Sequence, residues 1–260
     1  MGSLAGRKNL YLVLPVLLFF ASWEIVCRSL PREMGNLFPP FTKVLVETGR
    51  LILSGIMGDH ILWSLMRVIC GFLIGIVFGI STGFMMGYKD LIDRSLHPII
   101  AFLYPIPALG WVPLLMVWLG IGEALPISVI AIHSFFPTCY NTRSGIKNID
   151  QRMVKVARSM GAKGLTLATK VIIPLALPSI FSGLRLSSGG AFRVVIAAEM
   201  VAMPKGIGAL LMRAESLIRV DIIVSCLFIL SLMSVLFERI FLMLERKVLK
   251  NEKLSPDRSF

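Results

Sequence analysis

Arg193 and Glu199 stand inside one long apolar run, residues 180–202. A guanidinium at such a position can hold an anion through a forked pair of hydrogen bonds. A charge inside an apolar span is costly, so it faces a bundle interior or water and marks a pathway or a partner helix. Six residues of helix set the two side chains about 120° apart, so they do not pair along one face. His133, midway along another apolar run, reads as a satisfied structural histidine. Prolines give a second signature: Pro98, Pro105, Pro107 and Pro113, around the run Tyr104-Pro-Ile-Pro-Ala-Leu-Gly-Trp-Val-Pro. Each interior proline removes a helical hydrogen bond and crowds the preceding turn. Irregular backbone within the bilayer survives only when buried in protein or lining a wet cavity. Arg193, Glu199, Pro105 and Pro107 are therefore the candidate path or gate residues. Pairing between helices is the alternative for the charges, and a packed kink is the alternative for the prolines.

Covalent chemistry lacks its motifs. The sequence contains no H-E-x-x-H, no G-x-S-x-G and no G-x-x-x-x-G-K-[ST], and its three histidines lie far apart. Ser144-Gly-Ile-Lys147 fits S-x-x-K, a pattern short enough to arise by chance. Cys27, Cys70, Cys139 and Cys226 form no C-x-x-C and read as small hydrophobes rather than metal ligands or disulfides. No catalytic residue, metal site or bound cofactor is expected, and phosphate-derived energy would have to come from another chain.

The elements that hold these residues follow from composition. Of 260 residues, 56% are hydrophobic and 16% charged, with mean hydropathy +0.80. One soluble core cannot hide that much apolar surface, and disorder, collagen, nucleic-acid tails and disulfide scaffolds are excluded by the same figures. Six apolar runs cover about 10–27, 63–87, 98–119, 125–140, 180–202 and 222–243. They are continuous, unlike the ten-residue alternation of a membrane barrel, and each suffices to cross a bilayer as a helix. The expectation is an all-α polytopic membrane protein with six transmembrane helices in a single transmembrane domain, 1–260. With the N-terminus placed inside, the inner segments hold 16 Lys and Arg and the outer ones 7. The positive-inside rule then predicts both termini in the cytoplasm. The first run is expected to be retained, because Trp23 and Glu24 follow Phe20 where a signal peptidase would need small residues. Residues 42–55 predict an amphipathic helix on the outer surface, capped by Thr42, with Val44, Leu45, Thr48, Leu51 and Ile52 on one face. Gly71, Gly75, Gly79, Gly83 and Gly87 predict a ridge against which a neighbouring helix packs closely.

The longest inner loop, 143–180, holds seven basic residues and one acid, Asp150. Helical periodicity places Met153, Val156, Ala157 and Met160 on one face. Gly161 permits a sharp turn, a second helical stretch follows to Ile173, and Pro174 and Pro178 lead into the next span. A helix-turn-helix with a tip of small residues fits a groove in another protein. A solvated basic loop near anionic lipid is the plainer alternative.

Ala157, Gly161-Ala162, and Ile172-Ile173-Pro174, whose proline comes thirteen residues after the glycine, resemble the EAA loop of membrane subunits of binding-protein-dependent ABC importers. Lys155 stands where that family often has Glu, Val156 where it has Ala, and Ile173 where it has Leu. Ser64-Leu-Met-Arg-Val, Gly120-Ile-Gly-Glu, Phe135-Phe-Pro137, Ser182-Gly-Leu-Arg185, Ala197-Ala-Glu-Met200 and Gly206-Ile-Gly208 look like its nitrate/sulfonate/taurine/bicarbonate branch, over about 36–245. The resemblance implies a type I importer permease fold. It implies that the loop couples to a cytoplasmic ATP-binding subunit through Ala157, Arg158, Gly161, Ala162 and Pro174, with ATP and Mg held by that partner. It further implies a second permease copy, a periplasmic or lipid-anchored binding protein that delivers a small anionic solute, and a place in the bacterial cytoplasmic membrane. Lipid is the remaining partner, and no nucleic acid is expected. A stand-alone secondary transporter or channel is the alternative reading; such folds usually show internal repeats, and none is found.

Overall fold

The computed structural model describes residues 3–31, 34–35 and 37–253, and every regular element among them is helical. The long elements are α1 (Ser3–Ser29), α3 (Ile56–Tyr88), α6 (Ala124–Lys147), α9 (Ile173–Ala202) and α11 (Val220–Lys253). Between them lie α2 (Phe41–Leu53), α4 (Asp90–Leu103), α5 (Val112–Leu119), α7 (Gln151–Ser159), α8 (Gly164–Leu167) and α10 (Ile207–Ser216).

Helix α6 is the axis of the bundle, and glycines decide how closely its neighbours approach. A Cβ placed on Gly71, Gly75, Gly79 or Gly83 of α3 would lie 2.6, 2.5, 2.8 and 2.5 Å from the carbonyl oxygens of Ile127, Ala131, Phe135 and Cys139. The glycines and the carbonyls both recur every four residues, so one face of α3 lies directly on the α6 backbone. On the other flank of α6, a Cβ on Gly183 of α9 would come 3.1 Å from the Pro137 carbonyl. Helix α11 closes the bundle, with Phe237 edge-on to both Phe72 and Phe192 at ring distances of 5.4 and 5.5 Å.

Among the described residues, three helices are long and apolar enough to cross a membrane: 56–88, 164–201 and 220–248. The expected span 98–119 is instead two helices, Asp90–Leu103 and a segment from Ala108 to Leu119, bent by 91°. Pro105 and Pro107 supply no N–H at the break, so the helix cannot continue through it. Counting that pair as one broken span gives up to four. Helix α6 has the length, about 36 Å at 1.5 Å per residue, but falls short in apolarity. It is enclosed by α3 and α9, so Ser134, Thr138 and Thr142 are buried in protein and not in lipid. A six-helix count is therefore not reached on length and apolarity alone.

The surface helix α2 starts after Pro40, and Thr42 does not cap it. Its hydroxyl donates instead to Glu24 of α1 at 2.8 Å. Val44, Thr48 and Leu51 form the buried stripe, while Leu45 and Ile52 point outward. The second helical stretch of the inner loop does not stop at Ile173. It runs on from Gly164 into α9 through one π-type turn over Ala168–Ile172, just ahead of Pro174, which cannot donate to the ladder.

The seam between α3 and α6 is testable. Gly75→Val puts a side chain into the Ala131 carbonyl and is expected to lower stability by ~1–3 kcal/mol or more. Gly49→Ala on α2 meets open space and is expected to be neutral or to stabilise by ~0.5–1 kcal/mol. Thermal unfolding in detergent reads both, and an unchanged midpoint for Gly75→Val contradicts the seam.

Candidate functional site

Three of the four candidate path residues meet at one place. Arg193, Pro105 and Pro107 line a cavity of about 280 Å³ together with Tyr104, His133 and Leu186. The elbow between α4 and α5 brings the prolines, α6 brings His133 and α9 brings Arg193. A second cavity of about 460 Å³ shares Arg193 and Leu186 and reaches Asn141, Ser182, Arg185 and Glu238. Arg193 is exposed in the single chain. It makes no hydrogen bond or ion pair among the described residues, so its five donors remain unused. The His133 ring lies against Gly190, where any Cβ would overlap it. Its Nε2 is buried without a hydrogen-bond partner, so the expectation of a satisfied histidine does not hold for that atom.

Glu199 does not join them. It lies six residues further along α9, fully buried at the end of the bundle where α3 begins and α9 ends. Ser64 Oγ donates to its two oxygens at 2.9 and 2.8 Å, and the Gly208 N–H at the start of α10 donates at 3.0 Å. Arg67 Nη1 donates to it at 2.7 Å and also reaches the Lys205 carbonyl at 2.6 Å. The remaining guanidinium edge forks onto Glu123, with Nε and Nη2 at 2.6 and 2.7 Å. Arg67 is 1% exposed and Glu199 0%, while Glu123 is 47% exposed. One buried cation therefore grips one buried carboxylate and one that opens to solvent. The guanidinium holds the Glu123 carboxyl below the usual carboxylate range, so this arm is present near neutral pH and lost as pH falls through that lowered value. Gly206, with φ +123°, leaves the space that the Glu199 carboxylate occupies.

Of the residues in this cluster, Arg67 is the least visible in sequence, where it stands only inside Ser64-Leu-Met-Arg-Val. The available signal is a lone cation in an apolar helix, with Glu123 just before the start of α6 and Glu199 in the last turn of α9, two helix ends that lie on the same side of an up-and-down bundle.

At the opposite end of the bundle, Asp93 pairs with Arg143, and Lys147 with Asp90, tying the start of α4 to the end of α6. Helix α7 follows directly. Asp150 caps it by accepting from the Arg152 N–H at 2.8 Å. It ends in a glycine turn, where Gly161 at φ +91° donates to the Arg158 carbonyl and Ala162 donates to that of Ala157, both at 3.0 Å. That pairing is a Schellman motif, which needs the left-handed conformation that glycine adopts freely. Met153, Val156 and Met160 are exposed, Ala157 and Ala162 half-buried, and Arg158 exposed. Pro174 sits half-buried at the start of α9. The coupling candidates thus share one end of the molecule, and no large side chain covers the Gly161 tip.

Comparison with known proteins bears on this arrangement. Residues 75–250 match the family described as the binding-protein-dependent transport system inner membrane component. The chain belongs to that family. It is 39% identical over 225 residues to a putative ABC transporter permease protein of Methanocaldococcus jannaschii, covering 86% of this chain and 82% of the relative. It is 36% identical over 226 residues to the putative aliphatic sulfonates transport permease protein SsuC of Escherichia coli, covering 87% and 86%. A crystal structure of an amino acid ABC transporter with histidines superposes with a TM-score of 0.61 at 19% identity, covering 78% of this chain and 96% of that one. That likeness establishes the permease fold.

The Arg67 cluster predicts an asymmetry. Arg67→Ala strands the Glu199 carboxylate in the interior and is expected to destabilise by ~3–5 kcal/mol. Glu123→Gln keeps the buried pair and is expected to have a far smaller effect. Unfolding midpoints in detergent check the order, and equal losses contradict it.

Proposed function

We propose that this permease forms the membrane path of an ATP-driven importer and passes a small solute bearing an anionic group by way of Arg193. The observation that carries this reading is the unpaired Arg193 guanidinium in a cavity walled by the Pro105–Pro107 elbow. A cation within a span needs a carboxylate, water or an anion, and irregular backbone there needs protein or water against it. A second copy of the chain, closing the elbow side around a two-fold axis, supplies both in one arrangement. The sulfonate named for the SsuC relative is the kind of anion that a guanidinium forks onto. An external binding protein, periplasmic or lipid-anchored, delivers the solute.

Cytoplasmic ATP-binding subunits hold ATP and Mg and do the hydrolysis; this chain is the transport subunit. They take the α7 turn into a cleft, contacting Ala157, Arg158, Gly161 and Ala162, with Pro174 at the root of the segment. The exposed Met153, Val156 and Met160 give that contact an apolar face, and both termini lie on the same cytoplasmic side. At the outer end, the Arg67–Glu199 pair holds the bundle closed, and the solvent-reaching Glu123 arm is the part free to release as a gate.

Arg193→Ala is expected to reduce ATP-driven uptake into proteoliposomes at least about tenfold while the complex still assembles, since losing a charged hydrogen bond removes ~1.5–3 kcal/mol. Full uptake by that variant removes Arg193 from the path. Gly161→Leu strains a left-handed position by ~1–3 kcal/mol, and Ala157→Glu puts a charge at the contact. Both are expected to abolish uptake and to weaken co-purification of the ATPase without impairing membrane insertion. Normal uptake in both discards the coupling segment.

A further inference from the structure

The second cavity beside Arg193 carries a group that import of a simple anion does not use. Glu238 lies within the α11 span and lines the same space of about 460 Å³ as Arg193. It makes no hydrogen bond or ion pair among the described residues, and it is not paired with Arg193. It lies near α9: a Cβ on Gly189 would be 3.7 Å from Glu238 Oε2. Arg185, Gly189 and Arg193 are spaced by four along α9 and share one face. The Glu238 carboxylate therefore rests against the small residue between two arginines.

The arginines differ in state. Arg185 donates through Nη2 to both oxygens of Glu245, at 2.7 and 2.6 Å, so its charge is matched. Its Nε is buried without a partner. What remains is one cation, Arg193, one anion, Glu238, and one unused donor. With Arg185 offset by Glu245 behind it, the unmatched charges on the lining are one positive and one negative. A purely anionic solute would gain from Arg193 and be repelled by Glu238. A solute with an anionic head and a cationic amine a few bonds apart would satisfy both.

We propose, building on the reading of Arg193 as part of the path, that this cavity is a dipolar site for a small zwitterion. The anionic head, a sulfonate or carboxylate, sits on Arg193. The ammonium sits on Glu238, with the Asn141 side chain at the cavity wall. Glu238 is then the residue that separates amino-bearing solutes from plain anions.

The test uses the purified permease–ATPase complex without its binding protein, so that only the membrane site selects. Two nearly isosteric probes are compared by equilibrium binding: taurine, an aminosulfonate, and propanesulfonate, which has a methyl in place of the ammonium. The complex is expected to bind taurine at least about tenfold more tightly. Glu238→Gln is expected to weaken taurine alone and bring the ratio near one, and Glu238→Asp to keep a preference for taurine. Arg193→Ala is expected to weaken both probes. Co-purification of the ATPase with each variant confirms assembly. An unchanged ratio in Glu238→Gln, or binding of neither probe to the native complex at millimolar concentration, overturns the dipolar site. If Arg193→Ala transports normally, the path reading itself has failed; if it loses transport while Glu238→Gln leaves the ratio unchanged, only the dipolar site has failed.

Discussion

The close approach of α3 to the α6 backbone is the contact on which the rest of the molecule depends. Four glycine positions rest on four carbonyls of α6, with no side chains between. Dispersion over such a seam stands in for the hydrophobic effect, which does not drive helices together in lipid. Because α3 covers one side of α6 and α9 the other, α6 is shielded from lipid and tolerates hydroxyls, His133, Asn141 and an internal proline. His133, Pro137 and Asn141 in turn form part of the walls of the two cavities. A bulkier ridge would push α3 away and expose that polar face.

The charges inside the bundle fall into two groups, matched and unmatched. Arg67 with Glu199, and Arg185 with Glu245, are matched at hydrogen-bond distance. Matched buried pairs hold elements in register and are strongly missed when one member goes. Arg193 and Glu238 are unmatched and face open space. An unmatched charge within a span is an arrangement that structure alone does not reward, which is why a visiting solute is proposed for the cavity. The Arg67 cluster sits at the end of the bundle, whereas Arg185 lines the same cavity as Arg193 and Glu238.

Much of this arrangement was legible in the sequence, for definite reasons. The glycine spacing is a local pattern that reports a helix face directly. The break at Pro105–Pro107 follows from missing donors, although its 91° bend depends on how α5 settles on α6. Arg193 stood out because its neighbours are apolar. Arg67 did not, because its partners Glu123 and Glu199 lie 56 and 132 residues away, and only the packing of three helices brings them to one guanidinium. The run 125–140 reads as a helix in the sequence and is one, α6, but it falls short on an apolar count because that count assumes lipid on all sides, whereas α6 is wrapped in protein. The helix from Gly164 into α9 ran past its expected end because a π-type turn accommodates Pro174, a compensation that proline spacing does not reveal.

The central claim is that Arg193 borders a water-filled path. Thiol accessibility tests it directly. Arg193→Cys in the assembled transporter, read above the background of the native cysteines, is expected to react with a charged, membrane-impermeant methanethiosulfonate. Its rate is expected to differ between the nucleotide-free and nucleotide-trapped states as the path opens to one side and then the other. Labelling only by a lipid-soluble maleimide, with the charged reagent inert in every state, would place residue 193 against lipid and contradict the account.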